Sequence, residues 1–95
     1  MPVLTGLVRT QHAGKYLGQL CKHWSHKFEA SCAADNGSVD LPFGRTEFRA
    51  SDDVLTIVIS LNPGADTVLA RDVVARHLNR FAFREAPLTI EWAEA

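Results

Sequence analysis

Eight consecutive residues, Val54-Leu55-Thr56-Ile57-Val58-Ile59-Ser60-Leu61, set the strongest constraint on this 95-residue chain. Only Ser60 among them is neither β-branched nor apolar, and turn residues stand on both sides, Ser51-Asp52-Asp53 before and Asn62-Pro63-Gly64 after. Such a run reads as a strand. Its near-continuous apolar character places it inside a sheet, with at least partial cover on both faces. A chain of this length forms one domain over residues 1–95, with a modest core and little interior for a large enclosed pocket. Hydrophobic residues make up 46% and charged residues 22%, ordinary globular usage, so a folded body is expected.

The remaining elements follow from periodicity. His12 to Lys27 carries Ala13, Tyr16, Leu17, Leu20, Cys21 and Trp24 at three- and four-residue spacing, a single apolar stripe on a helix, with Phe28 just beyond. A second helix starts at a cap supplied by Asp66 or Thr67 and runs to about Phe83, with Ala70, Val73, Val74, His77, Leu78 and Phe81 inward. Val3 to Arg9 reads as a strand that Pro2 and Gly6 weaken, which suits an edge or a bend. Glu29 to Ala34 is a short strand, and Asp35-Asn36-Gly37-Ser38 a turn in which Asn-Gly accepts positive φ. Ser38 to Ala50 reads as one strand kinked at Leu41-Pro42-Phe43-Gly44, with Thr46 and Phe48 opposite Arg45, Glu47 and Arg49. Leu88 to Trp92 closes the chain with Leu88, Ile90 and Trp92 inward. The order β-α-β-β-β-α-β predicts an α+β two-layer sandwich, two helices on one face of a mostly antiparallel sheet. The other face is solvated or used for association. Two copies could pair through it or through an edge strand, so a homodimer and a monomer both stand.

Formal net charge is −1, which gives no global pull toward nucleic acid or membrane. The charge is unevenly placed. Gln11 to Lys27 holds Lys15, Lys22, Lys27 and three histidines without an acid, and Asp66 to Arg84 holds four arginines against two aspartates. The helices are therefore basic and the strands acidic. No stretch approaches the ~18 apolar residues of a membrane span. Met1 to Gly6 shows no basic segment followed by a long apolar run, so an export signal is not expected and a cytoplasmic location is. In that compartment Cys21 and Cys32 are expected as reduced thiols, with a disulfide between them the alternative.

Cys21, His23 and His26 are metal-ligand types close in sequence, but on a helix Cys21 and His26 point ~140° apart at ~100° per residue. Cys21 falls in the apolar stripe as a small core residue. His23 and His26 could share one ion if a further ligand came from elsewhere; otherwise they are two boundary histidines on a basic helix. His77, in the second stripe, reads as a core imidazole bonded to a backbone carbonyl, or as a general base if a pocket opens beside it. In Leu41-Pro42-Phe43-Gly44-Arg45, Arg45 could meet an anion at a pocket rim; the alternative is a strand bulge with Phe43 tucked into the core. Trp24 and Trp92 read as core. Lys15, Lys22, Lys27, Arg76 and Arg80 would form an outward basic surface that attracts anionic partners, or an ordinary solvated face. The aromatic interleaving used for single-stranded nucleic acid is absent, as is a helix-turn-helix, so nucleic acid is not an expected partner. No nucleophile elbow, phosphate-binding loop or dinucleotide fingerprint is present.

Three motifs in order, Leu20-Cys21-Lys22-His23-Trp24-Ser25-His26-Lys27-Phe28, Leu41-Pro42-Phe43-Gly44-Arg45 and His77-Leu78-Asn79-Arg80-Phe81-Ala82-Phe83-Arg84, followed by Leu88 to Trp92, resemble the bacterial family called domain of unknown function 2218. The resemblance implies small single-domain proteins and, because the domain also occurs joined to siderophore-interacting reductases, a setting of iron and siderophore handling. It implies no catalytic residue and leaves the cofactor unknown. The expectation is a non-enzymatic accessory or binding domain, its surface the helical face with Lys22, His23, His26 and Arg45, its partner a protein or a small anionic ligand. Alternatives are a metal or cofactor binder using His23 and His26, and a small enzyme using His77.

Overall fold

The computed structural model describes residues 3–94. In chain order the elements are β1 (Val3–Arg9), α1 (Ala13–Ser25), β2 (Ala30–Cys32), β3 (Asn36–Leu41), β4 (Gly44–Ala50), β5 (Val54–Leu61), α2 (Thr67–Phe81) and β6 (Glu91–Glu94). The strands form one antiparallel sheet in the order β2-β3-β4-β5-β1-β6. Both helices lie on one face of it. The expected fold class holds, with β5 at the centre of the sheet.

Alternation explains the two layers. In β5, Leu55, Ile57, Ile59 and Leu61 are buried while Val54, Thr56, Val58 and Ser60 are half-buried on the open face. The buried set meets the α1 stripe, with Ala13, Tyr16, Leu17, Leu20, Cys21 and Trp24 all inward, and the α2 residues Ala70, Val74 and Leu78. The Asp66 side chain caps α2 by accepting from the Leu69 amide at 3.1 Å.

Five expectations change. The segment read as one kinked strand is two: the chain reverses at Pro42-Phe43, and β3 pairs antiparallel with β4, Leu41 opposite Gly44. The sheet thus gains a strand, giving β-α-β-β-β-β-α-β. Asn36-Gly37 is not the reversal either. Gly37 has no positive φ and lies inside β3, and the turn sits one step earlier, closed by the Ala33 amide donating to the Asn36 carbonyl at 2.8 Å. β1 is an interior strand, not an edge (Pro2 lies outside the described residues). Gly6 serves close packing there: a Cβ at that position would come within 2.8 Å of Ile90 and 2.9 Å of Trp92, whose side chains cover its bare backbone. The last strand starts later, at Glu91, although Leu88, Ile90 and Trp92 do pack on the core.

The fifth change is chemical. Cys21 and Cys32 form a disulfide between α1 and edge strand β2, their Cα atoms 6.0 Å apart, inside the span that two cysteines can bridge. Spacing on a helix gave no hint of it, because the partner arrives through the turn that lays β2 under α1. Gly37 leaves room for the bridge: a Cβ there would sit 3.2 Å from the Cys21 sulfur.

Candidate functional site

A pocket of about 450 Å³ opens where three elements meet on the helical side. The last turn of α1 and the residues after it bring His23, Trp24, His26, Lys27 and Phe28. The β3–β4 turn brings Leu41, Pro42 and Phe43, and α2 brings Leu69, Val73 and His77. The turn is held in place from the α2 approach, where the Asn62 amide donates to the Phe43 carbonyl at 2.9 Å and Asn62 Nδ2 donates to the Pro42 carbonyl at 3.1 Å. Phe43 is consequently half-buried as a pocket wall.

The pocket floor is aromatic. The Trp24 ring stacks on Phe48 with centroids 6.0 Å apart and meets His77 at 5.0 Å. His23 crosses from α1 to α2, its ring 5.4 Å from His77 and 5.6 Å from Phe81. His77 Nδ1 donates to the Val73 carbonyl at 2.7 Å, one turn back on α2. A carbonyl accepts only, so the proton is on Nδ1, and in the neutral ring Nε2 carries the lone pair. The pKa of His23 is lowered from its ordinary value, first by desolvation among these rings, then by the charges of His77, Arg80, His26 and Lys27. Among the described residues no carboxylate lines the pocket.

The sequence candidates divide. His23 and His26 both line the pocket, whereas Lys22 is exposed on α1 and does not. Arg45 lies on the opposite face of the sheet, pairing with Asp40 at 3.4 Å and donating to Ser38 at 3.3 Å, beside a groove of about 570 Å³ that also includes Glu47 and Arg49. In a strand, Arg45 and the core-facing Thr46 must point opposite ways, so the Phe43 wall and Arg45 cannot share a site. The near partner of His23 is His77, and among the described residues no three His, Cys, Asp or Glu side chains gather closely enough to hold a metal ion. Cys21 is bonded to Cys32 and offers no thiolate. Sequence reasoning missed Phe43, Leu69 and Val73 as one surface. The available signal was Leu69 and Val73 at i and i+4 on a single side of α2.

A family model described as an uncharacterized protein conserved in bacteria (DUF2218) matches residues 5–93, a span that includes every pocket residue. The chain belongs to this family. The NMR structure of PA4090 from Pseudomonas aeruginosa is similar to the DUF2218 chain, with 37% sequence identity, 98% of this chain and 96% of that one covered, and a TM-score of 0.74. No curated protein matches.

A second polar cluster in the DUF2218 chain is a clasp. Glu85, on the segment after α2, accepts from the Thr10 hydroxyl at 3.1 Å and from the Tyr16 hydroxyl, tying that segment to the start of α1. The Tyr16 hydrogen bond, set against partial desolvation and helped by Thr10, holds the Glu85 carboxyl below its ordinary pKa. Burial and the carboxylate push Tyr16 up to about 12. The linkage signs are opposite. Glu85 contributes stability above the ordinary carboxylate range that is lost as pH falls through its folded pKa, whereas Tyr16 contributes stability below pH 10.0 that is lost as pH rises toward about 12. Tyr16→Phe should cost about 1–3 kcal/mol at neutral pH and flatten the alkaline limb. Urea unfolding across pH checks both effects, and an unchanged alkaline limb would rule out the clasp.

Proposed function

We propose that the chain is a non-enzymatic binding domain that seats a small, largely apolar molecule in the pocket between α1, α2 and the β3–β4 turn. The observation that carries this reading is the lining itself: Trp24, Phe28, Phe43, Leu69 and Val73 form apolar walls, and the polar groups are confined to the histidines and Lys27. The volume falls in the range of small-molecule sites, and the pattern of apolar walls with few polar anchors is theirs. Leu69 is 51% exposed at the mouth, apolar area a ligand would cover.

The test uses the neutral fluorophore N-phenyl-1-naphthylamine. Val73→Trp should fill the pocket and weaken its binding at least about tenfold, a loss of about 1.4 kcal/mol. Arg45→Ala, on the other sheet face, should leave binding unchanged. Binding that ignores Val73→Trp would refute the reading.

A second reading, a small enzyme with His77 as base, draws on the Nε2 lone pair of that residue at the pocket. Against it, no carboxylate or hydroxyl among the lining residues could act as nucleophile, and the imidazole is held by a backbone carbonyl rather than a carboxylate. A link to iron or siderophore handling is proposed on the family resemblance alone.

A further inference from the structure

We infer that the ligand of this pocket is an organic acid, an apolar body carrying one carboxylate or similar anion, and that its binding draws a proton from solvent onto His23. The inference rests on the pocket reading and adds the chemical class of the occupant.

Charge complementarity is the first ground. The charged groups that bear on His23 are all basic: His26 and Lys27 from the residues after α1, and His77 and Arg80 from α2; the β3–β4 turn adds the uncharged Leu41, Pro42 and Phe43. The neighbouring acid on α2, Asp72, is engaged by Arg76 at 2.8 Å. A neutral ligand would leave this cationic end uncompensated. A metal cation would be repelled by it. An anion placed there meets Lys27 and the imidazoles while its apolar body lies on Trp24 and Phe43.

The second ground is geometric. His23 is packed edge-on to Phe81 at 5.6 Å and beside His77 at 5.4 Å. Beside these groups a proton on His23 would crowd a second ring and two side-chain cations, in keeping with the lowered pKa. A bound anion reverses the sign of that field. It favours imidazolium, which can donate a charge-assisted hydrogen bond to it. The acid binds as the deprotonated anion, and the proton arrives from water, so charge and atoms balance. By linkage, affinity for the anion rises as pH falls through the His23 range and levels off once His23 is protonated in the free protein too.

Two probes separate this inference from the pocket reading. 8-Anilinonaphthalene-1-sulfonate and N-phenyl-1-naphthylamine share a ring system and differ in the sulfonate. At about pH 5.5 the anion should bind at least about tenfold tighter than the neutral probe, with the advantage shrinking to about threefold or less near pH 8. The neutral probe should be nearly pH-independent, which also guards against acid expansion of the fold, since an expanded core would take up both. His23→Gln, at an exposed position, should abolish the pH dependence of the anion. Arg45→Ala, on the other sheet face, should preserve the pH dependence. Equal affinities for the two probes, or a pH dependence that survives His23→Gln, would overturn the organic-acid inference and leave the pocket standing. Neutral-probe binding that ignores Val73→Trp would remove the pocket itself.

Discussion

Gly44→Ala is expected to destabilise the fold by about 3 kcal/mol or more and to abolish binding of the neutral probe under conditions where the wild type binds. Two effects coincide at this residue. Its φ is +150°, a backbone conformation that side chains rarely adopt, and a Cβ would overlap the backbone carbonyl oxygen of Ser60 and lie 3.0 Å from the Leu61 Cα. Neither obstacle is a flexible side-chain end, so relief requires pulling β4 away from the central strand β5, where Gly44 faces Leu61. A domain of this size has a total stability of about 5–15 kcal/mol, so the loss would be a large fraction. The binding effect follows because Gly44 ends the turn that carries Phe43. Gly64 provides the comparison: its φ is +77°, but a Cβ there meets nothing within 4 Å. Gly64→Ala should therefore cost only about 1 kcal/mol of backbone strain and leave binding alone. Urea unfolding of both variants measures the contrast, and a Gly44→Ala loss under about 1 kcal/mol would contradict the packing described.

The second large effect is expected at the disulfide. Cys32→Ser should lower stability by about 3 kcal/mol, the chain-entropy value for so short a closed loop, the two cysteines being 11 positions apart. Cys32 is exposed, so the substitution leaves no cavity, and Cys21 stays behind as a small buried thiol. The loss should be local in character. β2 is a three-residue edge strand paired only with β3, and the bridge is its covalent tie to α1. In Cys32→Ser, or in wild type treated with dithiothreitol, the amides of Ala30–Cys32 should exchange faster while those of β5 keep their protection. Thiol titration in denaturant is the direct check: air-purified protein should show no free thiol among its two cysteines. Two free thiols would restore the expectation of reduced cysteines drawn from the sequence.

Much of the architecture was legible in the residues. The stripe from Ala13 to Trp24 marked the buried face of α1 correctly at every position, because a helix returns to the same side every three or four residues whatever it packs on. Asp66 was one of two named caps and is the one used. Thr46 and Phe48 were assigned the core face of their strand against Arg45, Glu47 and Arg49, as period-two alternation demands. The errors cluster at glycines. Gly37 stands next to Asn36 and imitates a turn, yet it is there for the nearby disulfide. Gly6 imitates a strand breaker, yet it makes room for Ile90 and Trp92. Gly44 imitates a bulge, yet it lets β4 approach β5 after a full reversal. Glycine tolerates both unusual φ and close approach, and only the neighbours decide which is in use.

The candidate site was half legible. His23 and His26 were marked by residue type, and His77 by its place on an apolar stripe. Their joining with Phe43, Leu69 and Val73 in one pocket was not, since these residues come from three elements whose apposition no local spacing encodes. Arg45, expected on the same surface as the histidines, lies on the opposite sheet face, and the sheet separates them by its thickness. Sequence by itself determined the fold class, the central strand, the inward faces of both helices and the basic character of the helical side, all of which follow from periodicity and composition along the chain. Tertiary structure alone decided the extra strand, the Cys21–Cys32 bridge, the Tyr16–Glu85 clasp and the His23–His77 meeting. Each of these is a contact between segments far apart in the chain or joined through a turn, and its geometry exists only once the sheet has brought those segments within a few ångströms.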